Sequence, residues 1–123
     1  MSLAYIEIEI AGKPRRIQFK IPSLRDLERV MAKPLGEVLA DMARLGAEPL
    51  AMLLWAGLRV DDRKLTIEKA LDLLQDHVDG GGEIADIRAA INDALVLSGY
   101  FGQKAKGEVE AARGNPPTPS TSP

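Results

Sequence analysis

The sequence predicts an α+β domain. It has an N-terminal β-hairpin packed on a bundle of about five short helices, followed by a disordered C-terminal tail. Three observations carry this prediction. Two short segments alternate apolar and polar residues with the period of a strand, over Tyr5–Ile10 and Ile17–Ile21. Helical apolar stripes fill the chain from Leu24 to Leu95. A Pro-, Ser- and Thr-rich stretch, Asn115 to Pro123, holds almost nothing to bury. The domain is expected over residues 4–102 and the flexible tail over 103–123.

The hairpin reads from its turn. Gly12-Lys13 suits a two-residue type II′ loop with Gly first. That loop would set Glu9 opposite Arg16, Ile8 opposite Ile17, Ile6 opposite Phe19 and Tyr5 opposite Lys20. One face is then apolar and the other carries opposed charges. A lone hairpin is marginal in water, so its apolar face needs helices as cover.

Pro22-Ser23 ends the strand and opens the first helix, with Ser23 as N-cap and Asp26 three residues on. Leu24, Leu27, Val30 and Met31 form its apolar stripe. Pro34 interrupts it. Leu35, Val38, Leu39, Met42 and Leu45 continue as a second helix, with Gly46 as its C′ stop. Glu48-Pro49 opens a third helix, whose Leu50–Leu58 segment is apolar almost all round and belongs at the core's centre. Thr66 caps a fourth, with Ile67, Ala70, Leu71, Leu74 and Val78 as its stripe. Gly80-Gly81-Gly82 breaks the chain as a flexible connection. A fifth helix carries Ile84, Ile87, Ile91, Ala94 and Leu95 and ends near Ser98-Gly99.

Composition excludes several function classes. The 123 residues are 46% hydrophobic and 28% charged, an ordinary globular balance. Cysteine is absent, which removes disulfides, zinc fingers and thiol nucleophiles. One histidine leaves no His-rich metal site. A net charge of -2 and 4% aromatic residues argue against nucleic acid. No apolar run of the roughly 18 residues that a membrane span requires occurs, and no leader pattern precedes the first strand. A soluble intracellular protein is expected.

No constellation of catalytic type emerges. Asp72, Asp76 and Asp79, with His77 beside them, fall on one side of a helix, but no EF-hand pattern surrounds them, and a solvated face explains them. The triple glycine lacks a Walker pattern, and Glu83 and Asp86 after it would repel a phosphate. His77 has no Ser or Cys partner and suits a helix C-terminus. No catalytic residue, cofactor or metal ligand is assigned. Two groups suggest contact with a partner instead. Lys13, Arg15 and Arg16 make the hairpin tip basic. Met52, Trp55 and Arg59 lie off the core stripe of the third helix, and Trp and Met favour docking surfaces.

The order of segments resembles a known family. The hairpin with Gly12 in its turn leads into Pro22-Ser23-Leu24-Arg25-Asp26-Leu27-Glu28, then Pro34-Leu35-Gly36-Glu37-Val38-Leu39. Met52-Leu53-Leu54-Trp55-Ala56-Gly57-Leu58-Arg59 follows, then Lys64-Leu65-Thr66-Ile67-Glu68-Lys69-Ala70, the glycine break and a last helix ending in Gly99-Tyr100-Phe101-Gly102. This pattern is similar to the tail assembly chaperones of long-tailed bacteriophages and gene transfer agents, over about residues 5–102. The resemblance implies a non-catalytic assembly factor in the cytoplasm of a bacterial host cell. It would bind and solubilise the helical tape-measure protein while the tail-tube protein polymerises around the complex. A homo-oligomer is compatible with it. The alternative of a different class is a head–tail connector or tail-terminator subunit that forms rings.

Overall fold

The computed structural model describes residues 5–113. Strands β1 (Tyr5–Ile10) and β2 (Lys13–Gln18) pair antiparallel, and helices α1 (Ile21–Met31), α2 (Leu35–Ala40), α3 (Ala47–Leu58), α4 (Ile67–Asp79), α5 (Ile84–Leu97) and α6 (Gln103–Ala112) follow. A single 3-10 turn, Met42–Arg44, lies between α2 and α3. The architecture is α+β, with the hairpin laid on the helices.

The hairpin turns one residue earlier than its sequence suggests. Ala11 and Gly12 form the loop with φ of 56° and 79°, the type I′ signature, and Ile10 stands opposite Lys13. Proline explains the choice. Residues that flank a two-residue loop exchange backbone hydrogen bonds, and every second pair beyond them does likewise. A Gly12-Lys13 loop would put Pro14 in the flanking position, where it has no N–H to give. In the observed register Pro14 faces Glu9, in the intervening non-bonded pair. Glu7, not Glu9, therefore opposes Arg16, and Ile6 opposes Ile17. The pairing moves by an even number of residues, so the faces are unchanged. Ile6, Ile10, Ile17 and Phe19 are all buried.

Strand β2 ends at Gln18, and Ile21 is the first residue of α1, 63% exposed. The cap of α1 is Lys20 in extended conformation, with no side-chain hydrogen bond, so Ser23 sits inside the first turn. Pro22 tolerates that turn because its N–H would have no helical partner anyway. Leu24 and Leu27 are buried, whereas Val30 is exposed. The chain leaves α1 through Ala32 in the left-handed region, φ 55°. Pro34 cannot cap α2 with a side chain; Glu28 of α1 does so, its carboxylate accepting from the Leu35 N–H at 3.2 Å.

The stripe from Leu35 to Leu45 is not one helix. It breaks at Asp41 into α2 and the 3-10 turn, and Gly46 becomes the extended N-cap of α3 instead of a C′ stop. Arg88 of α5 braces the segment after the break, donating to Met42 O at 2.9 Å and Leu45 O at 2.8 Å.

Helix α3 is the centre of the core, as its apolar run predicts. Leu50, Leu53, Leu54 and Leu58 are buried, and α3 touches α1, α4, α5 and β2. Gly57 lets the hairpin approach closely: a Cβ there would lie 2.6 Å from Ile17 Cγ2 and 3.0 Å from Phe19 Cζ. Thr66 caps α4 as expected, its Oγ1 accepting from Lys69 N at 3.1 Å. The glycine link after α4 closes by backbone bonds, Gly80 N to Asp76 O at 3.0 Å and Gly82 N to His77 O at 2.8 Å.

The domain does not stop at Gly102. Residues 103–112 form α6, which packs on α5, with Val109 against the core and Arg113 Nε 2.7 Å from Asp93 Oδ2. The rest of the expected tail, 114–123, lies outside the described residues. Among the described residues no helix is long and apolar enough to cross a membrane.

Candidate functional site

The six partner-contact residues expected from the sequence fall into two clusters. Met52, Trp55 and Arg59 lie at i, i+3 and i+7 on α3, so they share an edge of that helix. Each is partly buried. Trp55 Nε1 donates to Leu65 O at 3.0 Å, which fixes the indole against the α3–α4 loop. The Arg59 guanidinium stacks on the indole, 4.7 Å from its ring centroid, and its Nη1 lies 3.3 Å from Asp26 Oδ2 on α1. Met52 packs on the core. This edge ties α1, α3 and the loop together, with part of the indole and guanidinium left at the surface.

The hairpin cluster is more open. Lys13 and Arg16 are exposed. Arg15 Nε donates to Ile10 O at 2.9 Å, and the Arg16 guanidinium lies 4.9 Å from the Tyr5 ring centroid. Arg15, Arg16 and Glu7 face Asp61 and Asp62 of the α3–α4 loop across an open concavity of about 700 Å³. Mixed charge there gives it no single preference for an anion or a cation. Among the described residues no hydrogen bond or ion pair joins the two clusters.

His77 sits at the C-terminus of α4. Its Nε2 lies 3.2 Å from Glu83 O, and its ring lies where a Cβ on Gly82 would be. The imidazole therefore braces the glycine link. Among the described residues no three His, Asp or Glu side chains are placed to hold a metal ion.

One surface was missed by residue pattern alone. A groove of about 580 Å³ opens between the start of α3, α4 and the start of α5. Leu45, Leu50 and Leu74 form its buried floor, and Leu71, Val78 and Ile84 rise along its sides. Val78, a member of the expected core stripe, is 45% exposed. A helical stripe shows only that a residue lies on the apolar side. Whether a neighbour covers it depends on tertiary packing. Here the groove lies beside the glycine link, which begins one residue past the end of α4. A valine in the last turn before three glycines was the available signal.

No protein-family model, curated protein or solved structure matches this chain.

Proposed function

We propose that the chain is a non-catalytic tail assembly chaperone of the long-tailed phage and gene-transfer-agent type. It binds the helical tape-measure protein and keeps it soluble while the tail tube assembles. The observation that supports this reading best is the open apolar groove on the α3–α4–α5 face. A tape measure is long, helical and apolar along one side, and such a surface aggregates unless covered. A small domain with an apolar groove between helices covers a helix by taking its apolar ridge. The order of hairpin, capped helices and Gly-rich link is the second support.

The test is co-expression with the longest helical protein encoded nearby, followed by centrifugation. The partner is expected in the pellet when expressed alone and in the supernatant with this chain. A partner that still precipitates beside folded chain overturns the reading. Closed rings of the chain alone would favour the connector instead.

A further inference from the structure

We propose that the groove between α3, α4 and α5 docks a basic amphipathic helix of the partner protein. The inference rests on the chaperone reading and adds where the helix lies and which charge flanks its apolar side.

The shape of the groove selects a helix. Leu71, Leu74 and Val78 recur at i, i+3 and i+7 along α4, a row about 10 Å long at 1.5 Å per residue, or two helical turns. Such a row is a ridge beside which the ridge of a second helix can lie. The walls are helices, whose backbone groups are already bonded to each other. An extended strand would find no free edge to pair with.

Charge selects the sign of the occupant. Asp72 borders the groove, and Asp79 lies about two turns on along the same side of α4. Both are exposed. The basic residue at the groove, Arg88, is held by the Met42 and Leu45 carbonyls. Lys69 lies at the far end of α4, beyond the groove. Lys or Arg beside the apolar ridge of an incoming helix would meet carboxylates. Asp or Glu there would be repelled.

The experiment uses the full chain and two labelled synthetic peptides of about four helical turns. Both carry Leu at i, i+3 and i+7; one has Lys flanking the leucines, the other Glu. Fluorescence anisotropy should show the Lys peptide binding at least tenfold more tightly, with affinity falling as NaCl rises. Val78→Gln, at an exposed position, should weaken the Lys peptide at least tenfold with the thermal midpoint unchanged. The pair Asp72→Lys and Asp79→Lys should reverse the preference. Equal binding of both peptides, or binding indifferent to Val78→Gln, overturns the proposal. So does concentration-dependent dimerisation that Val78→Gln abolishes, since a second copy would then own the groove. If the Lys peptide is ignored while the partner stays soluble on co-expression, the groove assignment fails and the chaperone reading stands. Peptide binding without partner solubilisation gives the reverse.

Discussion

Ala11 holds a positive φ of 56° in the hairpin loop, a conformation that costs an L-residue about 1–2 kcal/mol. Asn tolerates it better, and Asn-Gly is the favoured type I′ pair. Ala11→Asn should therefore stabilise the protein by about 0.5–1 kcal/mol, read as a higher denaturation midpoint at unchanged slope. Gly57 gives the opposite case. A methyl group there would press into Ile17 and Phe19, so Gly57→Ala should cost about 1–3 kcal/mol. Trp55 is anchored to Leu65 O and stacked by Arg59. Trp55→Ala should lower stability by about 2 kcal/mol, less than a fully buried Trp would cost, measured by urea unfolding. The residue pattern identified Trp55 and Arg59 as standing off the core stripe. Their partners, Leu65 O and Asp26, lie 10 and 33 residues away in sequence and could not be read from local spacing. The true turn was legible in principle, because Pro14 forbids the register that Gly12-Lys13 would impose.

At the scale of elements, periodicity predicts β1 and helices at α1, α3, α4 and α5, but it sets the second strand too late and runs α2 on to Leu45; the Thr66 cap is legible because its hydroxyl acts locally. Errors arose where tertiary contact decides. Glu28 caps α2 from a neighbouring helix, and Arg88 of α5 satisfies the carbonyls around the 3-10 turn. Neither bond leaves a sequence signature. Helix α6 was missed because Gly107 interrupts it and a single residue, Val109, carries its packing on the core. Its existence depends on α5. Val109→Asp should release it: amide exchange over 103–112 should lose protection while α3 keeps its own. The left-handed Ala32 at the end of α1 offers a stabilising change. Ala32→Gly should raise stability by about 1 kcal/mol, because glycine adopts that conformation without a Cβ penalty.

For the whole molecule, β1 was legible because its apolar residues alternate with exposed charged ones, and α3 because most of it is buried. The groove was not, because partial exposure depends on tertiary packing that local spacing does not show. The hairpin arginines and the Trp55–Arg59 edge remain partner-contact candidates, but Arg15, Arg16, Trp55 and Arg59 all have contacts within the chain. The groove leaves its apolar row open, and it gives the chaperone proposal a surface. A chain that coats a long helix must occupy it repeatedly, whereas an adaptor binds it once. The mass of the co-expressed complex by size exclusion with light scattering measures this directly. The account predicts one soluble species with many copies of this chain per tape-measure molecule. Separate elution of this chain, with the partner lost to aggregate, would contradict it.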